Sequence, residues 1–171
     1  MKNGSGTKFM VSAGHCFVVG NTIKGGTGII WGTVNSRAPF PTADMLTISG
    51  SYAGSIYGGN QTGTQLVVTG AGAAGVGGLY CNSGYTTYET CNHKVVSTNA
   101  TFCDPSGCTP GLYSYQGGVL PGPGDSGAPF YYKAGSTVGI RGMIIAIDGN
   151  TVFAEKWSTI SAQFGVTIVT G

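Results

Sequence analysis

Gly122-Pro123-Gly124-Asp125-Ser126-Gly127-Ala128-Pro129-Phe130 is the stretch on which the reading of this chain depends. A Pro/Gly-rich loop runs into Gly124-Asp125-Ser126-Gly127, and the apolar run Pro129 to Lys133 that follows reads as a strand. Glycines on both sides of Ser126 allow a sharp turn. Such a turn lets two backbone N–H groups, those of Gly124 and Ser126, converge on a point where negative charge develops. Ser126 is therefore a candidate nucleophile. The same residues also suit an ordinary turn, and nothing within them decides between the two.

A serine hydroxyl attacks poorly at neutral pH unless an imidazole takes its proton. The chain has two histidines. His15 closes Ser12-Ala13-Gly14-His15-Cys16 after the apolar run Phe9-Met10-Val11, whereas His93, in Cys91-Asn92-His93-Lys94, reads as a surface loop or strand residue. A lone histidine is more often structural, so His15 carries weight only with partners. The third requirement is a buried carboxylate that fixes the imidazole tautomer. Of six acids, Asp44 stands just before the apolar strand Met45-Leu46-Thr47-Ile48, where it can point into a cleft. Asp104 and Asp148 lie in turn contexts, where aspartate caps local backbone. Glu89 falls between Cys81 and Cys91. Elimination leaves Asp44.

Further out, the chain reads as many short strands. Gly28 to Val34, Gln65 to Thr69, Leu79 to Cys81, Lys94 to Thr98, Gly111 to Tyr115, Arg141 to Ile147 and Val152 to Ala154 join those already named. Gly25-Gly26 and Gly58-Gly59-Asn60 punctuate them, Asp148-Gly149-Asn150 is a hairpin signal, and Gly70 to Gly78 looks like a connector between halves. Only Trp157, Ile160 and Phe164 have helical spacing, with Gly165 where a C-cap belongs. Strands at this density with one late helix predict an all-β sandwich or barrel.

Composition narrows the function classes. Charged residues are 8% of 171 and the net charge is +2. There is no basic patch for nucleic acid and no acidic tail. Apolar runs are too short for a bilayer, so no membrane association is expected. The 32 glycines show no Gly-X-Y period, which excludes collagen. Five cysteines in so small a chain imply an oxidising compartment. Cys81 and Cys91, and Cys103 and Cys108, are close in sequence but lack a metal-binding frame, and the two histidines lie far apart, so no metal site is expected.

The order His15, Asp44, Ser126, in Gly-His-Cys and Gly-Asp-Ser-Gly contexts, resembles the chymotrypsin-like serine protease superfamily. It is similar in particular to the bacterial secreted branch of streptogrisins and α-lytic protease. Cys81-Asn-Ser-Gly-Tyr-Thr-Thr-Tyr-Glu-Thr-Cys91 resembles that branch's disulfide hairpin, and Phe164-Gly165-Val166 resembles its C-terminus. The resemblance runs from about Phe9 to Val169. It implies two packed antiparallel β-barrels of six strands each with a short C-terminal helix. Residues 1–75 would supply His15 and Asp44, and 76–171 would supply Ser126 and the substrate pocket. It further implies a catalytic triad of His15, Asp44 and Ser126, an oxyanion hole from the Gly124 and Ser126 amides, and a Cys81–Cys91 bridge. The activity implied is a secreted, monomeric, cofactor-free endopeptidase acting on protein or peptide substrates. The pocket would draw on Leu120, six residues before the nucleophile, with Ile145 and Ile147 on one wall, and would prefer apolar residues before the scissile bond.

Several features depart from the family pattern. Ala128 stands where glycine is usual, in a position expected to pack behind the nucleophile. Gly122-Pro123 replaces a cysteine common before the turn, so Cys103 and Cys108 are expected to bridge locally. By the same resemblance Asp125 should be ion-paired, with Arg37 and Arg141 the candidates. Cys16 lacks the upstream partner that the family supplies, and few residues precede His15, so the first barrel reads as incomplete. The expectation is a gene product that begins earlier, with the partner cysteine, a secretion signal and a possible propeptide. A 171-residue chain expressed alone would then be poorly soluble or weakly active. Rival readings are a non-catalytic binding or adhesion module on the same fold, an inactive truncated fragment, and an α/β-hydrolase esterase. The last is disfavoured by triad order and by the absence of Gly-x-Ser-x-Gly.

Overall fold

Alternating apolar and polar residues bounded by Gly, Asn and Asp turns build an almost purely β molecule. The computed structural model describes residues 1–25, 28–60 and 62–171; Gly26, half of the Gly25-Gly26 signal, lies outside these. Strands β1 (Phe9–Ala13), β2 (Thr22–Lys24), β3 (Ile30–Ala38) and β4 (Met45–Ser49) form an antiparallel sheet in the order β1-β4-β3-β2. β4 is apolar enough to bury both faces: Leu46 and Ile48 pack with Ile23 and Val34 on one side. Met45 turns to the other side, towards the second half of the chain.

Strands β5 (Ser55–Gly58), β6 (Thr64–Ala71), β7 (Leu79–Gly84), β8 (Tyr88–Asp104), β9 (Gly107–Gln116), β10 (Pro129–Ala134), β11 (Thr137–Asp148) and β12 (Thr151–Lys156) form the second sheet. Its order is β10-β7-β8-β9-β12-β11-β6-β5, and an additional β10–β11 pairing joins the ends of the first six. Those six strands make a closed antiparallel barrel, which removes their exposed edges. The β5–β6 hairpin is attached outside it, β6 running parallel to β11. The architecture is thus the expected pair of packed antiparallel β units, with four strands paired in the first among the described residues. The short C-terminal helix also forms: α1 (Trp157–Phe164) buries Ile160 and ends on Gly165, whose φ of 59° closes the helix with its N–H on the Ser161 carbonyl.

Two elements exceed their sequence signals. β8 and β9 form one long hairpin closed at its tip by Cys103–Cys108, where alternation of Asn, Ser and Thr hides a continuous strand. β2 and β5 are short and polar enough to be read as loop. β6 also runs on through Ala71, so the connector begins at Gly72.

One core cluster is shared by the two units. Ala38, Ala43 and Met45 from the first pack with Leu112, Met143, Ile145 and Ile160 from the second. Phe40 meets Phe102 edge-on at 5.9 Å, and Phe102 meets Phe153 at 5.3 Å. The Thr109 hydroxyl donates to the Pro41 carbonyl at 2.7 Å, tying β9 to the loop that carries Asp44.

Candidate active site

The site is built where the ends of β1 and β4 meet the loop before β10. Ala13 pairs with Met45 in the β1–β4 register, which sets the turn after β1 beside the residue before β4. Gly14 is required in that turn: a Cβ there would stand 2.7 Å from the Met45 nitrogen. The next side chain, His15, meets Asp44. The His15 backbone N–H donates to Asp44 Oδ1 at 2.7 Å, and Nδ1 lies 2.7 Å from Oδ2. Asp44 itself is 3% exposed and has φ 55°, a left-handed conformation that aspartate tolerates better than most residues. A strained residue held by two such bonds is the kind of feature that clusters at functional sites.

Asp44 acts on His15 electrostatically as well. Its hydrogen bond, followed by contact with Cys16, raises the imidazole pKa from 6.5 to about 10. The ring is 47% exposed, so solvent screens part of that pull.

Ser126 arrives from the second unit. Its carbonyl oxygen lies 3.9 Å from Cys16 Sγ, so the serine's segment abuts the residue after His15. Among the described residues, no hydrogen bond joins the Ser126 hydroxyl to the His15 ring; such contacts are often long before substrate binds. Gly127 makes the approach possible. Its φ is 90°, and a Cβ there would overlap the Ser12 hydroxyl.

The loop's amides divide into two groups. Those of Gly122, Asp125, Gly127 and Ala128 donate to Asp125 Oδ2, Gly122 O, Ile144 O and Asp125 O. Among the described residues, those of Gly124 and Ser126 have no protein acceptor. Two free, neighbouring donors beside a serine hydroxyl are what a developing oxyanion requires.

Asp125 shapes this loop without the expected ion pair. Neither arginine reaches it: Arg37 bonds the Gly14 carbonyl, and Arg141 bonds the Ile140 carbonyl. Instead Thr86 and Thr87, at the tip of the β7–β8 hairpin, clamp it. Oδ1 accepts from the Thr86 N–H (2.7 Å) and hydroxyl (2.6 Å), and Oδ2 accepts from the Thr87 hydroxyl (2.7 Å). Burial pushes this carboxyl's pKa up, but these bonds and the Gly122 amide together hold it below its ordinary value. The signal was present in the Thr86-Thr87 pair of the cysteine hairpin, yet its target could be seen only in three dimensions.

The remaining candidates are placed as follows. A depression of about 340 Å³ beside Ser126 is lined by Pro121, Gly122, Pro123, Ala146 and Ile147. Ile147 reaches it, while Leu120 packs against the barrel core and Ile145 is buried in the shared core. A bulge between Ile144 and Ala146 re-aims the strand, setting Ala146 and Ile147 at the depression. Cys81–Cys91 and Cys103–Cys108 are bridged, Cys16 is a free thiol, and Ala128 is buried in the core cluster of Tyr115 and Phe130. Cys81, Glu89 and Cys91 cluster within 4.8 Å, but both sulfurs are spent in the bridge. His93 is not a surface residue. It is fully buried, with Nδ1 2.8 Å from the Gly117 carbonyl and Nε2 3.0 Å from the Thr90 hydroxyl. Glu155, which sequence reasoning passed over, is 2% exposed, and burial with the nearby Asp44 charge raises its pKa from 4.5 to about 7.

No family model matches the chain. Among solved structures it is similar to Thermobifida fusca protease A, with 27% identity, a TM-score of 0.79, and coverage of 99% of this chain and 88% of that one. It is similar to Nocardiopsis protease at 26% and 0.80, covering 99% and 89%, and to an α-lytic protease homologue, N4, at 25% and 0.72, covering 95% and 86%. These structural neighbours are bacterial chymotrypsin-like serine proteases, and the likeness supports a hydrolase that cleaves peptide bonds.

Proposed function

We propose that this chain, built on the fold of the bacterial chymotrypsin-like serine proteases, is a secreted serine endopeptidase with His15, Asp44 and Ser126 as its triad. The observation that carries the reading is the buried Asp44 carboxylate holding the His15 ring and backbone at 2.7 Å, against the segment of Ser126 and its two unengaged amides. Residues 1–75 carry the base and its orienting acid, and residues 76–171 carry the nucleophile and the pocket.

In this mechanism Ser126 Oγ attacks the scissile carbonyl carbon while His15 takes the hydroxyl proton on Nε2. Asp44 keeps Nδ1–H directed at itself, which leaves Nε2 as the acceptor and stabilises the imidazolium that forms. The Gly124 and Ser126 amides hold the tetrahedral oxyanion. His15 then passes the proton to the leaving amine. A water, deprotonated by the same imidazole, releases the acid from the acyl-enzyme.

An apolar residue before the scissile bond suits the depression lined by Pro121, Pro123, Ala146 and Ile147, which offers no carboxylate to a basic side chain. Two disulfides fit an extracellular location, and no helix among the described residues is long and apolar enough to cross a membrane. The test is fluorophosphonate labelling with peptide mapping, paired with casein digestion. The wild type should label on Ser126 and cut casein, and Ser126→Ala should do neither, losing several orders of magnitude in turnover with its fold intact. A chain that takes no label is a binding module, and one that labels without cutting casein is an esterase.

A further inference from the structure

His93 is a buried titratable group that the proposed mechanism does not use, and the hydrogen bonds around it all run in one direction. The Tyr115 hydroxyl donates to Asn82 Oδ1 at 3.3 Å, and Asn82 Nδ2 donates to the Thr90 hydroxyl oxygen at 3.0 Å. That hydroxyl lies 3.0 Å from His93 Nε2, and His93 Nδ1 lies 2.8 Å from the Gly117 carbonyl oxygen. A carbonyl oxygen only accepts, so Nδ1 carries the proton and Nε2 is the acceptor for Thr90. Asn82, His93 and Tyr115 are all fully buried, with the His93 and Tyr115 rings 5.1 Å apart.

This chain of donors has no place for a second proton on the ring. A proton on Nε2 would point at the Thr90 oxygen, and the displaced Thr90 hydroxyl proton has no other acceptor among the described residues. No free anion faces the ring from the elements around it. On its own strand Cys91 is bridged, Lys94 is exposed, and Glu89 is engaged with Tyr131, Lys133 and the Gly59 N–H. Tyr80 pairs with His93 from β7 and gives its hydroxyl to the Gly75 amide. From β9, Tyr115 is held neutral by burial and by the Asp125 charge, and Asp125 itself is clamped by Thr86 and Thr87. Burial accordingly lowers the His93 pKa below 6.5, against the pull of the Gly117 carbonyl.

The neutral ring holds the start of the loop between β9 and β10. Gly117 and Gly118, with φ of 83° and 68°, bring the chain close to His93. A Cβ at Gly118 would overlap the Cys91 carbonyl oxygen and stand 3.2 Å from Nδ1. Among the described residues, the bond from His93 is the one hydrogen bond made by the backbone of residues 117–121, where Leu120 adds apolar packing. Asp125 secures the later part of the loop through the Gly122 amide, and Thr86 through the Pro123 carbonyl.

We propose that His93 is a positioning residue for peptide hydrolysis: neutral, with its proton on Nδ1, it anchors the first half of the loop that presents the Gly124 and Ser126 amides, and a second proton releases that half. The role rests on the protease reading above, whereas the anchoring does not.

The experiment follows the full chain by NMR and by turnover of a peptide p-nitroanilide with an apolar residue before the scissile bond. At about pH 8 the wild-type ring should show a slowly exchanging Nδ1–H. Acidification should shift the amides of residues 118–124 together with the ring, at a midpoint below 6.5. Resonances are needed because protonation of His15 stops turnover at higher pH. His93→Phe, which keeps a ring without a donor, should shift the same amides at every pH and lower kcat about ten- to a hundredfold with little change in KM. His93→Asn, whose amide N–H reaches the place of Nδ1, should restore most of that loss. The role is overturned by a ring proton on Nε2, by loop amides unmoved in His93→Phe, by His93→Asn losing as much kcat as His93→Phe, or by KM rising as far as kcat falls. Should His93→Phe fail to fold, the wild-type titration decides, since loop amides that do not move with the ring overturn the role. A wild type that turns over no peptide and takes no fluorophosphonate on Ser126 removes the reaction and with it the role, while the ring tautomer and the amide shifts still show whether His93 anchors the loop.

Discussion

Two titratable side chains set the residue-scale behaviour of the site. His15 can act as a base only when neutral, and Asp44 raises its pKa above the ordinary 6.5. Activity should therefore rise with pH along a limb displaced to the alkaline side of 6.5, with exposure of the ring keeping it short of about 10. A kcat/KM profile checks this. Asp44→Asn should move the limb back towards 6.5 and lower the rate, and a limb unmoved by that change would detach Asp44 from His15. Glu155 gives a second, independent titration. Its folded pKa lies above its unfolded value, so the stability it contributes is complete below about pH 4.5 and is lost as pH rises through about 7. The shift corresponds to about 3 kcal/mol for a group this deeply buried. Glu155→Gln cannot ionise, so its Tm relative to the wild type should climb between about pH 5 and pH 7 and then level off. A difference that stays flat with pH would mean the carboxyl is already solvated.

Elements bring distant residues to bear on one loop. The β7–β8 hairpin, closed at its base by Cys81–Cys91, extends Thr86 and Thr87 to Asp125, and Asp125 in turn fixes the loop that presents the Gly124 and Ser126 amides. A hydrogen bond to a charged group contributes about 1.5–3 kcal/mol. Thr86→Val should cost about that much stability in denaturant unfolding. It should also lower kcat more than it raises KM, because in the proposed mechanism the amides it disorders act chiefly on the transition state. Thr86→Ser keeps the hydroxyl and should restore most of both. If Thr86→Val lost stability with kcat unchanged, the clamp would have no part in positioning the amides.

The whole molecule depends on the core that joins its two units. Leu112, fully buried on β9, packs in one cluster with Ala38 and with Ala43 and Met45, the two residues flanking Asp44. Leu112→Ala should cost about 2–5 kcal/mol and should lower turnover although the side chain touches no reacting group. Thermal unfolding followed both near Trp31 in the first unit and in the second should stay a single transition. Two separated transitions would show that the units fold independently of this core. Much of this molecule was legible in one dimension because its signals are local. Short apolar runs marked β1, β4, β10 and β11, the 157–160–164 spacing with Gly165 marked the helix, and Gly-His-Cys with Gly-Asp-Ser-Gly marked His15 and Ser126 as candidates for chemistry. The rest depends on contacts between residues far apart in sequence. The length of β8 comes from pairing with β7 and β9, and the aim of Ile147 comes from a bulge in the β11–β12 pairing. The burial of His93 and Glu155 follows from what packs over them. The partner of Asp125 is a pair of hydroxyls some forty residues away rather than an arginine. Sequence by itself determined which residue types stand ready for chemistry; the tertiary structure alone decided which of them meet, because a side chain's partners are set by the closure of the sheet and not by its neighbours along the chain.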